Sequence, residues 1–427
     1  MRILVLGATG LIGSAVAARL AAEGHAVVGV SRRAMPGLAP ISYVPFDIAR
    51  ATTAEAWLPL LHGIDAVVNC AGTLQDAPGE STQGVHATGI AALFAVCEVA
   101  GVRRVVHLSA TGVERETTAF SASKHAGEAA LAVRDLDWVI LRPSVVIGRP
   151  AYGGSALMRG LAALPVLPLL PGTGPLQVVW LDDLVDTIVF CLGPQAPARV
   201  TLDVVGPRAL SFPELVQLFR RWLRRRPAAT FRVPAWASAL LYRLGDAAGW
   251  LGWRPPVRST AQREIVHGAT GDASAWQKIT GITPTDVAAA LAREPASVQE
   301  RWFARLYILK PLIFGVFAAF WIGTALISFG PGWEIGMDLM REGGASETVA
   351  ALAVVAGAGS DLLIGLAILY RPTSRYGLYA ALLISIAYAI IGTLLVPRLW
   401  REPLGPMLKI WPVMVLNLVA LAIHEDR

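Results

Sequence analysis

The sequence predicts an α/β unit with a doubly wound parallel sheet, followed by an all-α four-helix transmembrane bundle. Three observations support this fold class. Short apolar runs alternate with helix-compatible segments in the first half of the chain, as in a parallel sheet covered on both faces. A glycine-rich turn, GATGLIG, follows the first run. Toward the end long uncharged stretches dominate, and the whole chain is 54% hydrophobic and only 16% charged, too apolar for an ordinary soluble protein.

The glycine-rich turn predicts a dinucleotide site. Apolar residues 3–6 read as a strand, and SAVAARLAAEG after the turn has a helical pattern. One glycine allows the tight turn, the next lets the backbone approach a pyrophosphate, and the third lets helix and strand pack closely. Because strand and helix flank the GxxGxxG spacing, we expect a Rossmann fold. The residues expected to contact the cofactor here are Gly7, Thr9, Gly10, Leu11, Ile12 and Gly13.

The end of the second strand indicates which cofactor is used. The run HAVVGVSRR ends in Ser31, Arg32 and Arg33, where the adenosine ribose is expected to lie. A site that prefers NAD usually places Asp or Glu at this point. A hydroxyl and two guanidinium groups suit a 2′-phosphate instead. We therefore expect NADP(H) in preference to NAD(H), with NAD(H) as the alternative cofactor.

Three more strand-like runs follow, ISYVPFD, AVVNCAG and VRRVVHLSA. Asp47 ends the first of them and is expected to meet the adenine. Asn69, Ala71 and Gly72 fall at the carboxyl end of the next strand, which lines the cofactor in doubly wound sheets.

Seven stretches, in chain order, resemble the short-chain dehydrogenase/reductase superfamily, and in particular its atypical members related to the NAD(P)H-binding accessory subunit of respiratory complex I. They are GATGLIG, VVNCAG, VHATG, VVHLSA, SASKHAGE, ILRPSVVIG and VVWLDDLVDTI, and they cover about residues 1–210. The resemblance implies a cofactor-binding domain over residues 1–205 and a small substrate-side lobe over residues 206–300, interleaved with it.

The resemblance also assigns catalytic positions. In that superfamily a tyrosine is the general acid or base, a lysine holds the nicotinamide ribose, and a serine steadies the reacting oxygen. Lys124 matches the lysine and Ser109 the serine, with Thr111 as the alternative. Four residues before the lysine, on the same helix face, stands Phe120, which has no proton to donate. His86 is a second departure, because asparagine is usual at its position.

Other residues could replace the missing tyrosine as the proton donor. The two neighbouring serines lie on different helix faces, and serine is a poor proton donor at neutral pH. One of the two tyrosines of the N-terminal region follows the segment expected on the substrate side, and the histidines are interpreted as packing or surface residues. These candidates are Ser121, Ser123, Tyr43, Tyr152, His107 and His125.

The cysteines and the N-terminus indicate a reducing compartment. Cys70, Cys97 and Cys191 show no CxxC spacing, so neither a disulfide framework nor a metal site is expected. The first strand begins at once, with no secretory signal before it. We therefore expect the N-terminal domain to lie in the cytoplasm.

The predicted lobe carries a basic amphipathic helix, FPELVQLFRRWLRRRP, followed by a Trp-rich apolar helix that opens at Pro234. Arginine beside tryptophan favours contact with anionic lipid headgroups, the alternative being a solvated helix face. No nucleic-acid-binding fold accompanies the cluster, so nucleic acid is not expected as a partner. The cluster consists of Arg220, Arg221, Arg224, Arg225 and Arg226.

Four apolar runs predict a transmembrane domain over residues 301–427. They span 309–329, 349–370, 376–396 and 404–423, each about the 20 residues needed to cross a bilayer. Basic residues precede the first run and separate the second from the third, whereas the first loop is acidic. This pattern favours a multi-pass protein of the inner (cytoplasmic) membrane with both termini in the cytoplasm, although Arg398 and Arg401 in the third loop oppose it.

Two ionisable residues fall inside the predicted spans, Asp361 and Lys409. Charges there are costly and usually paired, so we expect them to pair with each other, or Asp361 to mark a small-molecule or quinone pocket. A near-interface Lys409 that snorkels is the alternative. The region resembles the DoxX-like four-helix membrane family, and RWFARLYILKPL carries the likeness. The resemblance implies quinone or thiol redox chemistry.

The sequence thus favours a membrane-anchored, atypical NADP(H)-binding oxidoreductase that acts on an apolar or quinone-like substrate. Phe120 keeps a second hypothesis open, a non-catalytic NAD(P)H-binding regulatory or assembly module. A third, a nucleotide-sugar epimerase or dehydratase, is less favoured because those reactions also use the tyrosine.

Overall fold

Runs rich in valine and isoleucine form a parallel sheet, as their composition predicts. The computed structural model describes residues 1–32 and 40–424. The strands are β1 (Arg2–Leu6), β2 (Ala26–Ser31), β3 (Ile41–Pro45), β4 (Ala66–Asn69), β5 (Arg104–Leu108), β6 (Asp137–Pro143), β7 (Val146–Ile147), β8 (Val166–Leu169), β9 (Val179–Trp180), β10 (Val200–Val204) and β11 (Ala229–Arg232).

Within the described residues, seven strands form one parallel sheet in the order β10-β6-β5-β4-β1-β2-β3. The order reverses direction at β1, between β4 and β2, which is the topological switch point of a Rossmann fold. Two smaller parallel pairs, β8 with β11 and β7 with β9, lie outside this sheet. The expected fold class is confirmed for the N-terminal part.

In the described part of the chain, seven α-helices lie between these strands and four more follow β11 before the C-terminal region. They are α1 (Leu11–Ala22), α2 (Ala54–Leu61), α3 (Gly89–Ala100), α4 (Ala119–Ala132), α5 (Gly153–Ala162), α6 (Leu181–Leu192), α7 (Phe212–Trp222), α8 (Ala235–Trp250), α9 (Ser259–His267), α10 (Ser274–Thr280) and α11 (Val287–Arg293).

Each face of the sheet has its own hydrophobic core. Ile3 and Val5 of β1 pack on one face with residues of α1 and α6, whereas Leu4 and Leu6 pack on the other face with residues of α2 and α3. Successive strand residues point to opposite faces, so an uninterrupted apolar strand supplies both cores. Full burial of each such side chain contributes about 1.5–3 kcal/mol.

The chain divides into two units. The first comprises Met1–Asp246 with Pro255–Ala304, and the second comprises Ala247–Arg254 with Arg305–Arg427. A short segment of the predicted lobe therefore groups with the C-terminal region.

The C-terminal region is helical, with α12 (Val298–Phe329), α13 (Trp333–Glu342), α14 (Glu347–Leu369), α15 (Ser374–Leu395) and α16 (Pro406–Ala422). Residues of α12, α14, α15 and α16 share an apolar core that includes Phe317, Ile368 and Leu378. Three of these helices, α12, α14 and α15, are long and apolar enough to cross a membrane. Only 17–28% of the most apolar 18-residue stretch of each is buried inside the protein. Their outward surfaces are thus apolar, which indicates a membrane-associated domain.

The fourth predicted span is shorter than expected. The described part of the chain contains three helices that meet the length and composition of a span, whereas α16 has 17 residues. It begins only after Gly405, which has a left-handed backbone (φ 57°), and it ends at Ala422. A helix of this length lies at the lower limit for spanning a bilayer.

Candidate functional site

The glycine loop between β1 and α1 is tightly packed backbone. Gly7 has φ +71°, and a Cβ on it would lie 2.9 Å from backbone atoms of Ala71. A Cβ on Gly13 would lie 2.2 Å from the Gly7 carbonyl oxygen. Any side chain at these two positions would therefore force the loop away from β4 or α1 away from β1.

The N-terminus of α1 is open to an anionic ligand. Gly10 is its N-cap, no side chain of the described residues caps it, and its first turn carries no acidic residue. Uncapped N–H groups together with the helix dipole favour a phosphate at this point. Thr9 is exposed beside it, and Leu11 and Ile12 are partly buried.

The end of β4 meets the glycine loop, as expected from the adjacent pairing of β1 and β4. Asn69 is 1% exposed; its Oδ1 accepts a hydrogen bond from Ala71 N at 3.1 Å. Its Nδ2 therefore donates to His107 Nδ1 at 3.0 Å. Asn69 thus fixes the backbone that carries Ala71 and Gly72 toward the loop.

His107 is a buried, neutral imidazole. Because its Nδ1 accepts from Asn69, its proton lies on Nε2, which has no hydrogen-bond partner among the described residues. Burial, reinforced by the nearby charge of Lys124, lowers the pKa of His107 to about 3. It supports the strand ends and carries no charge at neutral pH.

Lys124 lies inside the protein, on the buried face of α4. Its Nζ donates to the Leu108 carbonyl at 2.7 Å, at the end of β5. Burial lowers the pKa of Lys124 to about 8, opposed by Cys70 and Glu128. A Cβ on Gly72 would lie 3.7 Å from this Nζ, so the lysine adjoins the loop after β4.

His86 lies beside Lys124 in a π-helical turn, Gly84–Thr88, which precedes α3. Its Nε2 accepts from Thr73 N at 3.0 Å, so its Nδ1 carries the proton and donates to Ser123 Oγ at 2.9 Å. Ser123 in turn donates to the Phe120 carbonyl at 3.0 Å. Burial, followed by the charge of Lys124, lowers the pKa of His86 well below its ordinary value. His86 is therefore a neutral bridge between two loops and α4.

Phe120 stands where a proton donor would be expected. Its ring meets the ring of His86 edge to face, with centroids 5.6 Å apart and planes at 83°. The nearest serines are occupied, since Ser123 is bonded to His86 and Ser121 belongs to the helix cap of α4. These contacts leave the position without an acidic hydroxyl.

Ser109 carries the free hydroxyl of the site. It is 5% exposed, and its Oγ has no hydrogen-bond partner in the described part of the protein. It follows Leu108, whose carbonyl binds Lys124. A buried, unpaired hydroxyl is costly, which fits a polar group of a cofactor or substrate at this position.

Glu264 was missed by sequence reasoning. It comes from α9, and its carboxylate accepts hydrogen bonds from Thr118, the N-cap of α4, and from Ser121 Oγ at 3.0 Å. A carboxylate at a helix N-terminus stabilises that helix. The contact joins residues 146 positions apart, so no local sequence signal could reveal it.

The expected ribose-binding residues are only partly described. Ser31 is buried at the end of β2, and Arg32 forms an ion pair with Glu80 at 2.7 Å. Arg33 lies outside the described residues. Asp47 is used as a helix cap, its Oδ1 accepting from Ala49 N at 3.1 Å, at the end of the edge strand β3.

Three other candidates lie apart from this cluster. Tyr43 packs against Gly29 of the neighbouring strand, Tyr152 precedes α5 and is 39% exposed, and His125 pairs with Glu116 at the surface, at 2.6 Å.

One arginine of the basic cluster at the end of α7 and just after it is buried. Arg220 is 5% exposed and donates to the carbonyls of Ala162 (2.8 Å) and Leu164 (2.6 Å). Its expected contact with lipid headgroups is therefore wrong, because its donors already satisfy buried backbone oxygens. Arg221, Arg224 and Arg226 are exposed.

The two charges predicted inside the spans do not pair. Asp361 is 2% exposed and accepts a hydrogen bond from Tyr388 of α15 at 3.0 Å. Lys409 is exposed on α16, and no ion pair in the described part of the chain joins it to Asp361. The Tyr388 hydroxyl thus supplies a hydrogen-bond partner for the Asp361 carboxyl group across the α14–α15 contact.

No group of three or more His, Cys, Asp or Glu side chains among residues 1–32 and 40–424 is arranged to hold a metal ion. Cys97 and Cys191 are buried free thiols, and Cys70 is partly buried.

Two families match different parts of this chain. A sequence model described as the NAD dependent epimerase/dehydratase family matches residues 3–198, and one described as the DoxX-like family matches residues 318–418.

Several relatives share the N-terminal part. The UDP-glucose 4-epimerase of Mycolicibacterium smegmatis is 30% identical over 309 residues, covering 60% of this chain and 94% of that enzyme. The ceramide reductase of Caulobacter vibrioides is 26% identical over 199 residues, covering 45% of this chain and 61% of that protein. An uncharacterized protein of Mycobacterium tuberculosis is 29% identical over 223 residues, covering 52% of this chain but only 23% of that protein.

A solved structure gives the same fold. MoeE5 in complex with UDP-glucuronic acid and NAD superimposes with a TM-score of 0.53 at 21% identity, covering 68% of this chain and 97% of that one. The expected resemblance to short-chain dehydrogenase/reductases and to DoxX-like proteins is thereby confirmed. The chain belongs to the NAD-dependent epimerase/dehydratase family and carries a DoxX-like domain at its C-terminal end.

Proposed function

We propose that this protein is a membrane-anchored, atypical NAD(P)(H)-dependent oxidoreductase that acts on an apolar or quinone-like substrate. One observation carries the proposal. The cofactor-binding elements surround a buried lysine and a free hydroxyl, Lys124 and Ser109, whereas Phe120 leaves the proton-donor position empty.

The residues present fit a nicotinamide dinucleotide. The uncapped N-terminus of α1 suits its pyrophosphate, and the unpaired Ser109 hydroxyl suits a polar group at the reacting end. When bound, the nicotinamide supplies or accepts a hydride. Lys124 would hold the nicotinamide ribose, the role that the family resemblance gives it.

NADP(H) is the proposed cofactor, with NAD(H) accepted as well. Arg32 supplies a guanidinium at the end of β2, two residues after Val30, whose carbonyl accepts from Ala8 of the glycine loop at 3.1 Å. A guanidinium at this point suits a 2′-phosphate.

The missing tyrosine limits the substrate. A carbonyl that accepts a hydride becomes a strongly basic alkoxide and needs a proton from the site. His86 is held neutral by its bridge to Thr73 and Ser123, so it is not an effective acid. A quinone that accepts a hydride becomes a hydroquinone anion, which is far less basic and can take its proton from water. The site thus favours a quinone-like acceptor over an ordinary carbonyl.

The lipid bilayer is the proposed macromolecular partner. Besides the apolar C-terminal helices, α8 exposes Trp236 (72%), Leu240 (50%) and Leu244 (58%) at four-residue intervals, while Ser238 and Tyr242 are buried on its other side. A helix with one such exposed apolar face suits the membrane interface. The proposed location is the inner (cytoplasmic) membrane, with several spans and the N-terminal unit in the cytoplasm. Protease added to inside-out vesicles should then digest that unit.

The proposed activity is tested on full-length protein purified in detergent, given NADPH and a short-chain quinone. We expect NADPH oxidation that is lost in Lys124→Ala and retained in His125→Ala, a surface control on the same helix. Oxidation that survives Lys124→Ala would contradict the proposed site.

Two other functions are separated by the same assay. Phe120 favours a non-catalytic NAD(P)H-binding module, which would bind the nucleotide tightly without turnover on quinones or a carbonyl panel. The similarity to an epimerase favours a nucleotide-sugar epimerase or dehydratase, which would convert a nucleotide sugar with no net consumption of NADPH.

A further inference from the structure

The ion pair between Arg32 and Glu80 lies where the cofactor's adenosine ribose is expected. β1 and β2 pair in parallel with Leu6 opposite Val30, and Ala8 N donates to Val30 O at 3.1 Å. Arg32 follows two residues later. A side chain placed so close to the glycine loop decides between a ribose hydroxyl and a 2′-phosphate.

Glu80 is built into its position. Ala77 and Glu80 exchange two backbone hydrogen bonds of 2.8 and 3.2 Å, across a turn in which Gly79 has φ +76°. Asp76 Oδ1 fixes the same turn by accepting from Thr82 N at 2.6 Å. The Glu80 carboxylate is 10% exposed, whereas Arg32 is 46% exposed. The carboxylate is therefore the more buried partner of the pair and is held by a defined turn, whereas the arginine is the more exposed partner.

We infer that Glu80 is a specificity-determining residue, which competes with a 2′-phosphate for Arg32 and so keeps the site open to NAD(H). A 2′-phosphate needs the guanidinium donors and brings about two negative charges next to the carboxylate. A ribose 2′-hydroxyl instead can donate a hydrogen bond to a carboxylate. Glu80 thus weakens NADP(H) binding without weakening NAD(H) binding. The inference rests on the proposed function, namely that a nicotinamide dinucleotide binds at the β1–α1 loop.

The test is calorimetric titration of full-length, detergent-solubilised protein with NADPH and with NADH. In Glu80→Gln we expect the Kd for NADPH to fall roughly tenfold relative to that for NADH, because an isosteric amide frees Arg32. Arg32→Gln should weaken NADPH binding. Adding Glu80→Gln to Arg32→Gln should then change the ratio less than Glu80→Gln does alone, because Arg32 is no longer present to be released. Glu98→Gln, which breaks the Arg134–Glu98 pair (3.4 Å) near the end of α3, is the matched control and should leave the ratio unchanged.

The outcomes distinguish a failure of the role of Glu80 from a failure of the proposed function. An unchanged NADPH/NADH ratio in Glu80→Gln, with normal binding and an unchanged unfolding temperature, overturns the role of Glu80 alone. The same holds if Glu80→Gln shifts the ratio equally with or without Arg32. Wild-type protein that binds neither nucleotide overturns the proposed function and this inference together. If Glu80→Gln fails to fold, Arg32→Gln decides, since an unaltered ratio in that variant also overturns the inference.

Discussion

The glycine loop of residues 7–13 and helix α4, which carries the candidate lysine, differ in how fully they match the residues expected of them. The loop keeps every feature that a pyrophosphate requires: a left-handed Gly7, a Gly13 without room for a Cβ, and an uncapped helix N-terminus. In α4, Lys124 is buried and oriented by Leu108, but Phe120 presents a ring against His86 where an acid is expected.

The proposed pyrophosphate site and the proton-donor position thus depend on different kinds of group. The loop would bind a pyrophosphate through its backbone N–H groups. Proton transfer depends on one side-chain hydroxyl, and a single substitution removes it. We therefore propose that the cofactor site is complete, whereas the proton donor that carbonyl reduction needs is absent.

Gly13→Ala should weaken nucleotide binding at the glycine loop. Its Cβ would lie 2.2 Å from the Gly7 carbonyl oxygen, against rigid backbone. The Kd for NADPH should rise on the order of tenfold or more, since the loop must open, and calorimetry would measure it. Gly154→Ala is the matched control, because nothing lies within 4 Å of its Cβ. Equal nucleotide affinity in the two variants would contradict the assignment of the loop.

Phe120→Tyr should repair the incomplete half. The new hydroxyl lies one helical turn from Lys124, whose cationic ammonium group favours the phenolate. We expect carbonyl reduction to increase by roughly 10²–10⁴-fold over the wild type, the usual contribution of a general acid, with little change in the Kd for NADPH. A carbonyl panel followed by NADPH absorbance measures it. Strong carbonyl reduction by the wild type, unchanged in the variant, would show that carbonyl reduction by this protein does not need a hydroxyl at position 120.

Acid should lower the free energy of unfolding through two buried histidines of the candidate site, His107 and His86. The pKa of His107 is about 3 in the folded protein against 6.5 in the unfolded chain, and that of His86 is also lowered. Above pH 6.5 both states are neutral, so these residues contribute no pH dependence. As the pH falls below 6.5 the unfolded chain binds protons that the folded protein does not. The free energy of unfolding should therefore drop by about 1.4 kcal/mol per pH unit through His107, and His86 should add to the drop in the same direction.

Thermal unfolding in detergent from about pH 7 to pH 4 measures this slope. His107→Asn should reduce this slope by about one proton relative to the wild type. A slope identical in His107→Asn and the wild type would indicate that His107 is protonated in the folded state.

Tyr388→Phe should have the smallest effect and leave the contrast untouched. It removes the hydrogen bond to Asp361 (3.0 Å), at a cost of about 1 kcal/mol, while Asp361→Asn keeps an acceptor for Tyr388. Thermal unfolding should show Tyr388→Phe to be the less stable variant. Altered NADPH affinity in either variant would couple Asp361 to the cofactor site, contrary to expectation.

The sheet and both halves of the site could be predicted from the sequence because their signals are local. The glycine spacing, the strand ends at Asn69 and Ser109, and the four-residue step from Phe120 to Lys124 are each encoded within one or two elements. Contacts between distant segments could not be predicted. The Arg32–Glu80 pair joins residues 48 positions apart, and Glu264 of α9 contacts the N-cap of α4 from 146 positions away.

The C-terminal region shows the same limit. Hydropathy located its apolar runs, because lipid exposure is a property of composition. It could not show that α16 starts only after Gly405, or that Asp361 bonds to Tyr388 rather than to Lys409. Those features depend on backbone conformation and on which helix faces meet.

The most direct test of a complete cofactor site is one binding titration with NADPH, on full-length wild-type protein and on Phe120→Tyr. We expect saturable binding by both, with the same Kd within about twofold, because the glycine loop does not need the tyrosine. Binding by Phe120→Tyr alone, or by neither protein, would contradict a complete cofactor site in the wild type.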